Sequence, residues 1–340
     1  MVENEAAISE EEAAQYDRQI RLWGLEAQKR LRTSRLLLVG LQGLGAEIAK
    51  NIILAGVKSV TLLDDSQVSA VNTRAQFLVP HGVAGIGLAE ASLQQAQLLN
   101  PMVEVKVEHG SVASKPDEFF SQFDAVCLTA CILEDLLKIC DLCHSKSIKF
   151  FAGGAFGYHG YMFADLGLHD FVEEETKKAE LLCDGPVHKK RKMDASEMTL
   201  VKKTFEFCTL KDALTIDWTT EQRKKALKKT PSDYFVLKVL LNFRTKQGRD
   251  PDPFMFTADT DLLLQLRDEL LESHGLEKNI IPENFTSSCF SQLSPVCPVV
   301  GGVLGQEIIK ALSGRDAPLN NFFFFDGFTC NGIVDCFKSC

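Results

Sequence analysis

A glycine-rich turn between an apolar run and a helical segment constrains the fold of this chain more than any other feature of its sequence. Residues 35–39 form a short apolar run, the turn occupies residues 40–45, and a helical pattern follows over residues 46–55. A second apolar run, residues 59–63, ends at Asp64. This order is typical of the first strand–helix–strand unit of a parallel sheet whose strands are buried on both faces.

The alternation of helical and strand-like segments continues well beyond this unit. The helical pattern recurs at residues 89–99 and 133–147, and apolar strand-like runs recur at residues 103–107, 125–129 and 148–151. Strands that alternate with helices predict an α/β protein, Rossmann-like and doubly wound, with a mainly parallel sheet. Because the crossovers in such sheets are right-handed, we expect the loops after the strands to meet at one edge, where nucleotides bind.

The flanking segments predict additional elements. Residues 1–34 contain an amphipathic pattern that predicts one long helix over residues 10–32, ahead of an α/β fold whose first part spans residues 35–168. Residues 169–290 are rich in charge and mostly helical in period, which favours a largely helical insertion. Within it, the polar and basic stretch near residues 184–197 predicts a mobile loop.

The helix–strand pattern returns in residues 291–340, which we interpret as the C-terminal part of the same α/β fold. Residues 298–312 predict a helix, residues 321–326 an apolar strand, and residues 332–336 a strand that pairs with it. The apolar strand contains four consecutive phenylalanines, at positions 322–325. Because an exposed row of this kind would promote aggregation, a buried central strand is predicted.

Composition excludes several classes of protein. A formal net charge of −9 argues against a general nucleic-acid binder, which needs a positive surface to displace counterions. The acidic residues 1–17 contain no apolar signal segment, and no apolar run approaches the roughly 18 residues that a membrane helix needs. The eleven cysteines lack the spacing of a disulfide framework, and the pair Cys140 and Cys143 lacks a convincing second pair for zinc. We therefore expect a soluble intracellular protein without a metal site.

The glycine turn and Asp64 form the candidate nucleotide pocket. Gly40, Gly43 and Gly45 would let the backbone turn sharply and let a phosphate approach the N-terminus of the following helix. Asp64 is placed like the acidic residue that binds a ribose hydroxyl in dinucleotide-binding folds. The spacing is GxxGxG rather than GxGxxG, so the turn equally fits a glycine loop kept for packing between strand and helix.

Several separated motifs carry a resemblance to a known family. They are residues 16–21 (YDRQIR) with Trp23 and Gly24, residues 43–51 (GLGAEIAKN), residues 76–78 (QFL), and residues 295–302 (PVCPVVGG) with 306–310 (QEIIK). With these motifs in register, the chain resembles the activating enzymes for ubiquitin-like modifiers, whose bacterial relatives adenylate sulfur-carrier proteins. The resemblance covers residues 12–165 and 290–337.

The resemblance implies a pair of adenylation folds of which only one keeps a working ATP site. This chain departs from the working pattern in its glycine turn, where Gln42 replaces a glycine, and in its displaced arginine within residues 72–76. No lysine lies within residues 85–89, where the family's phosphate-binding lysine should fall, and residues 128–131 contain no acidic magnesium ligand. We therefore expect ATP and Mg²⁺ to bind mainly in the partner subunit and the pocket of this chain to be vestigial.

By the same resemblance, Arg18 is the arginine that reaches across the dimer to the phosphates of ATP in the partner's site, and Arg21 is the second candidate. The alternative is an ordinary solvated helix face. None of the eleven cysteines lies in the context expected of the cysteine that accepts the modifier as a thioester. The implied assembly is an obligate heterodimer with a larger, cysteine-bearing subunit. With its length of 340 residues and the sequence of residues 16–24, the chain most resembles the SUMO branch of the family. SUMO is therefore the expected modifier.

Three other interpretations stay open at this point. The chain could be a homodimeric adenylating enzyme for a sulfur-carrier protein, a nicotinamide-dependent dehydrogenase, or a scaffold that only stabilises its partner. We expect the partner interface on the N-terminal helix and around residues 301–310, where small residues permit close approach. The basic residues 189–192 (KKRK) resemble a nuclear localisation signal, so we expect a nuclear protein.

Overall fold

A mixed eight-stranded sheet forms the centre of the chain in a computed structural model that describes residues 8–69, 76–176 and 198–338. The order of its strands is β10-β9-β6-β5-β4-β1-β2-β3, and a separate hairpin contains β7 and β8. The strands of the described residues are β1 (Arg35–Val39), β2 (Ser59–Leu63), β3 (Glu104–Glu108), β4 (Ala125–Leu128), β5 (Lys149–Phe156), β6 (His159–Asp165), β7 (Leu168–Thr176), β8 (Met198–Glu206), β9 (Phe322–Asp326) and β10 (Asn331–Asp335).

The predicted parallel sheet is confirmed over the strands β3-β2-β1-β4-β5, which all run in the same direction. The strands β6, β9 and β10 extend it in antiparallel fashion. The chain reverses between β5 and β6 at Gly157, whose positive φ of 57° suits a tight turn. The fold is therefore the expected Rossmann-like α/β architecture with an antiparallel extension at one edge.

Helices cover both faces of this sheet. Those of the described residues are α1 (Glu10–Gln15), α2 (Asp17–Trp23), α3 (Leu25–Thr33), α4 (Gly43–Ala55), α5 (Leu88–Leu99), α6 (Asp117–Phe120), α7 (Leu133–Ser145), α8 (Leu210–Leu214), α9 (Glu221–Leu227), α10 (Ser232–Gln247), α11 (Phe256–Ser273) and α12 (Val296–Ser313). Residues of α3, α4, α5 and α12 build the core on one face, and residues of α7, α8, α10 and α11 build the core on the other. The helices after residue 207 thus complete the core of the sheet.

The phenylalanine strand β9 lies between these two cores, as predicted. Phe322 and Phe324 belong to the core that contains α10, whereas Phe323 and Phe325 belong to the core that contains α12. All four side chains are buried because alternate residues of a strand point to opposite faces and both faces are covered by helices.

The prediction of one long N-terminal helix is wrong, because the segment forms the three short helices α1, α2 and α3. The second break lies at Gly24, whose φ of 89° and ψ of 159° are unfavourable for any residue with a side chain. The first break lies at Tyr16, which is only 4% exposed. Its hydroxyl oxygen accepts a hydrogen bond from Nδ2 of Asn100 at 2.8 Å. The breaks let the segment follow the surface of the α/β fold.

The hairpin of β7 and β8 is a second departure from expectation, because this part of the chain was predicted to be helical. Nine residue pairs join the two strands. His169 and Phe171 are buried on one side of β7, and the lysine–carboxylate pairs Lys202–Asp170 and Lys203–Glu173 join the strands. The high charge content hid this alternation in the sequence. The predicted loop at residues 184–197, with its basic run, lies outside the described residues.

Two small residues of helix α12, Gly301 and Gly305, pack within the chain, while the partner interface expected around this helix stays a prediction. A Cβ atom added to Gly301 would lie 2.7 Å from Cβ of Glu47, and one added to Gly305 would lie 2.8 Å from Cβ of Asn51. Both contacts are with α4. Among the described residues α12 is the one helix long and apolar enough to cross a bilayer, but 67% of it is buried inside the protein, as in the core helix of a globular fold.

Candidate functional site

The glycine turn lies at the topological switch point of the sheet, between β1 and β4. From here α4 connects β1 to β2 on one side, while β4 and β5 continue on the other. A Cβ atom on Gly45 would lie 1.9 Å from the carbonyl oxygen of Gly40, and one on Gly40 would lie 2.4 Å from Oγ1 of Thr129. Gly40 also has a φ of 87°. These glycines are therefore required by the packing of the turn itself.

The carboxylate of Asp64 is occupied by the chain's own groups. Its Oδ2 accepts a hydrogen bond from the backbone N–H of Leu41 at 2.6 Å, and its Oδ1 accepts from the backbone N–H and the hydroxyl of Ser66 at 2.9 and 2.6 Å. The residue expected to bind a ribose thus fastens the end of β2 to the glycine turn.

Gln76, from the third motif, holds the same turn from another direction. It is buried, and its Nε2 donates hydrogen bonds to the carbonyl oxygen of Leu41 at 2.9 Å and to Oγ of Ser92 at 3.0 Å. This motif residue therefore positions the glycine turn through α5. The preceding residues 70–75 lie outside the described part of the chain, so the displaced arginine of that motif has no described position.

A glutamine side chain caps the N-terminal end of α4, where a phosphate would be expected. The backbone N–H of Leu44, in the first turn of this helix, donates to Oε1 of Gln292 at 3.2 Å. Unpaired N–H groups at a helix N-terminus are what attract a phosphate in nucleotide-binding folds. The side chain of Gln292 uses one of these donors and so competes with a phosphate for this position.

A buried arginine lies at the end of β4, where the resemblance would place an aspartate for magnesium. Arg244 of α10 is 3% exposed, and its Nη1 donates to the carbonyl oxygen of Cys131 at 3.2 Å. Its Nε and Nη2 bind both carboxylate oxygens of Asp250 at 2.6 and 3.0 Å. Burial acts to lower the pKa of Arg244, but Asp250 outweighs this effect, so the pKa is raised. A metal ion here would meet a guanidinium instead of a ligand.

The cavity at the switch point encloses about 420 Å³ and is lined by Gln42, Ala130, Asp250 and Asp252, among others. The second arginine in its wall, Arg249, already binds both carboxylate oxygens of Asp259, at 2.7 and 2.8 Å. Both arginines are thus neutralised by carboxylates, and no lysine lines the cavity within the described residues. Phosphate groups need unpaired cationic donors. The described residues of this cavity therefore do not fit Mg–ATP.

The predicted trans-acting arginines lie on α2, away from this cavity. Arg18 is exposed and forms no salt bridge or hydrogen bond with any residue that the structure describes. Arg21 is paired with Asp17 on the same helix, at 3.0 Å between Nη2 and Oδ2. Arg18 therefore has its donors available, whereas those of Arg21 are partly engaged. Which of the two contacts a partner stays a prediction.

The buried and half-buried cysteines of the described residues are poor candidates for a thioester. Burial raises the pKa of Cys131, Cys143, Cys289 and Cys297 to about 12, and that of Cys208 to about 11. The thiolate is the nucleophilic form, so these thiols are inactive at neutral pH. In the same part of the chain, no three metal-ligating side chains converge on one point.

Comparison with known proteins agrees with this architecture. The ThiF family model matches residues 16–339, and the chain belongs to this family. It is 62% identical to SUMO-activating enzyme subunit 1 of Xenopus laevis over 343 residues, with 100% of both chains covered. It is 60% identical to the protein of that name in Homo sapiens, with 99% of both chains covered. The corresponding protein of Danio rerio is 60% identical, with 98% of this chain and 97% of the relative covered.

Identity of this extent over the full length places the chain in the family of SUMO-activating enzyme subunit 1 proteins, within the ThiF family. The resemblance to modifier-activating enzymes that the motifs indicated is thereby confirmed. The shared name describes one subunit of an enzyme that activates SUMO.

Proposed function

We propose that this chain is the non-thioester subunit of an obligate heterodimeric SUMO-activating enzyme. It supports the ATP-dependent adenylation of the SUMO C-terminus in the partner subunit, and a cysteine of that larger partner then accepts SUMO as a thioester. The observation that carries the proposal is the state of the switch-point cavity. Gln292 caps α4 and Arg244 occupies the end of β4, so the chain's own side chains stand where Mg–ATP would bind.

Arg18 is the residue by which this chain acts on the reaction. A guanidinium presents a planar fork of donors that matches a phosphate, and it keeps its charge at any physiological pH. Adenylation attaches the SUMO carboxylate to the α-phosphate of ATP and releases pyrophosphate, so negative charge shifts toward the leaving group. A donor supplied from outside stabilises that charge, as arginines do at other phosphate-transfer sites.

The N-terminal segment is fastened so that it can present Arg18 in a fixed position. Beside the Tyr16–Asn100 hydrogen bond, Nη1 of Arg30 donates to the carbonyl oxygen of Ser313 at 2.8 Å. These contacts tie the helices on both sides of α2 to the body of the protein. A fixed position matters because the free energy of orienting a catalytic group is then supplied by folding.

Substitution of Arg18 tests this role. Arg18→Ala in the heterodimer is expected to slow SUMO adenylation about 100-fold or more, since one preorganised donor to a developing charge contributes roughly 3–4 kcal/mol. Heterodimer formation, measured by size-exclusion chromatography, is expected to be unchanged. Arg21→Ala on the same helix tests the second candidate and should have a much smaller effect, because Asp17 already engages its guanidinium. Equal adenylation rates for Arg18→Ala and the unmodified enzyme would instead favour a purely stabilising scaffold.

Nuclear residence is part of the same proposal and is supported by the four basic residues at positions 189–192. A reporter fused to residues 180–200 should accumulate in the nucleus. A uniform distribution of that reporter through the cell would contradict this part of the proposal.

A further inference from the structure

A second cavity lies far from the switch point in the fold, between α9 and the turn that follows α11. It encloses about 740 Å³. One part of its wall is apolar and includes Trp218 and Leu276, and another part carries the basic residues Lys224, Lys228 and His274. A single carboxylate, that of Glu277, belongs to the described lining. The cavity thus combines an apolar surface with a basic rim, in which Glu221 pairs with Lys224 at 2.9 Å.

A largely buried lysine adds to this charge from behind the wall. Nζ of Lys238, on α10, lies 2.9 Å from Nε2 of His274 and 5.8 Å from the centre of the Tyr234 ring. Burial lowers the pKa of Lys238 to about 8. No carboxylate of the described ranges 8–69, 76–176 and 198–338 lies within ion-pair distance of it.

Lys238 lacks the counter-charge that three other cations of the described residues have. Arg244 binds Asp250, Arg249 binds Asp259, and Lys310 binds Glu307 at 2.7 Å. A charge taken out of water is costly unless it is paired. An anion beside Lys238 would remove that cost, and the adjacent cavity is the place from which an anion can approach.

His274 connects the lysine to the cavity. When the ammonium group of Lys238 donates to Nε2, the imidazole is neutral and its proton lies on Nδ1. Nδ1 has no acceptor within the described residues. The pair therefore provides a donor at the cavity wall together with a positive charge behind it. Lys224 and Lys228 lie one helical turn apart at the exposed rim, where Lys224 is paired with Glu221 at 2.9 Å.

We propose that this cavity binds an amphipathic oxyanion, a phosphate or carboxylate group held by the Lys238–His274 pair and by Lys228. Its apolar body would lie against the partly buried Leu227, Leu276 and Ile280, beside the buried ring of Trp218. This site is independent of the function proposed above. It shares no residue with the switch-point cavity or with α2.

Tryptophan fluorescence gives a direct test. The chain contains two tryptophans, so the full-length Trp23→Phe protein reports on Trp218 alone. Titration with phenyl phosphate or with benzoate is expected to give a saturable change. The probe that binds more tightly identifies the preferred group, phosphate for phenyl phosphate or carboxylate for benzoate. Inorganic phosphate should bind more weakly than phenyl phosphate, because it lacks the apolar body, and phenol should give no saturable change.

Two lysines of α10 provide a matched pair of variants in the same background. Lys238→Met should weaken binding of the preferred probe at least tenfold, whereas Lys246→Met, at an exposed lysine paired with Glu269, should leave it unchanged. Thermal unfolding provides a second measurement, because the probe should raise the unfolding temperature of the parent protein and not that of Lys238→Met. No saturable change with either anion, equal binding of phenol, or unchanged binding by a folded Lys238→Met protein would overturn the proposal.

Discussion

Two arginines of this chain differ in their surroundings and in the roles that we assign to them. Arg244 is buried at the end of β4 and is fully engaged by Asp250 and by backbone carbonyl groups. Arg18 is exposed on α2 and is engaged by none of the described residues. The first lines the switch-point cavity, and the second has donors that the described residues leave available, as the proposed contact with a phosphate in the partner requires. The same side-chain chemistry thus serves packing in one place and the proposed catalytic support in the other.

The Arg244–Asp250 pair makes a stability prediction. Asp250→Asn should lower the free energy of unfolding by about 3 kcal/mol or more, because it leaves a buried guanidinium without its counter-charge. Glu269→Gln, which breaks the exposed pair with Lys246, should cost less than about 1 kcal/mol. Urea denaturation of both variants measures the difference. Equal costs would mean that the buried pair contributes no more than a surface pair.

His169 predicts how stability depends on pH. Its side chain is buried beside Phe171 and near Lys149 and Asp170, and burial, with a smaller effect of Lys149, lowers its pKa from 6.5 to about 4. The unfolded chain therefore binds the proton more tightly. The contribution of neutral His169 to the free energy of unfolding is therefore complete above pH 6.5, and it is lost as the pH falls through 4.

Urea denaturation at pH 7 and at pH 5 measures this effect. Between pH 7 and pH 5, protonation linked to His169 should lower the free energy of unfolding by on the order of 1 to 2 kcal/mol. In His169→Phe, which keeps an aromatic ring without the titratable group, that part of the loss should disappear. A pH dependence identical in the variant and the parent protein would contradict the assignment to His169.

At the scale of elements, glycine permits a close approach between α12 and α4. Gly301 and Gly305 lie against Glu47 and Asn51 of α4, and Nδ2 of Asn51 donates to the carbonyl oxygen of Gly301 at 3.2 Å. Gly302 lies between them in sequence, and nothing lies within 4 Å of the position that its Cβ would take. The three glycines therefore differ in role within a single helix.

Alanine substitutions separate these roles. Gly301→Ala should lower the free energy of unfolding by about 1 to 3 kcal/mol, because its methyl group would force α12 and α4 apart. Gly302→Ala should be neutral or should stabilise the protein by up to about 1 kcal/mol, because alanine favours the helix and meets no neighbour. Thermal or urea unfolding of the two variants measures both. A stabilising Gly301→Ala would show that the helix contact is looser than described.

Sequence pattern predicts the parallel strands of this fold well because most of them are apolar runs separated by helical segments, and in β3 valines alternate with charged residues. It fails for β7 and β8, whose charged side chains hide the alternation of buried and exposed positions. It also fails at Tyr16 and Gly24, because a helical period continues through both residues while tertiary contacts break the helix. Local sequence pattern therefore predicts the parallel sheet, whereas the β7–β8 hairpin and the breaks in the N-terminal helix depend on contacts between distant segments.

The candidate site likewise has features that can be predicted from local sequence and features that cannot. The glycine turn and Asp64 are predictable because a turn and a strand end can be recognised from neighbouring residues. The contacts that close the cavity are not, since Gln292 is 248 positions from Leu44 and Arg244 is 113 positions from Cys131. No local signal pairs such residues, and only the folded chain brings them together.

For the whole molecule, these observations describe an adenylation fold that is complete in architecture and incomplete in chemistry. The sheet, the glycine turn and the anchored N-terminal segment are present, while the described charged groups around the switch-point cavity are paired with one another. Our account therefore requires a second subunit that binds Mg–ATP and carries the reactive cysteine. It also requires that this chain alone does not adenylate SUMO.

SUMO-dependent ATP–pyrophosphate exchange tests that central claim most directly. It should be measured with this chain alone, with the cysteine-bearing partner alone, and with the two together. We predict exchange only in the mixture, because the chain alone lacks a site for Mg–ATP and the partner alone lacks Arg18. Exchange catalysed by this chain alone would contradict the account and would favour a homodimeric adenylating enzyme with its own working site.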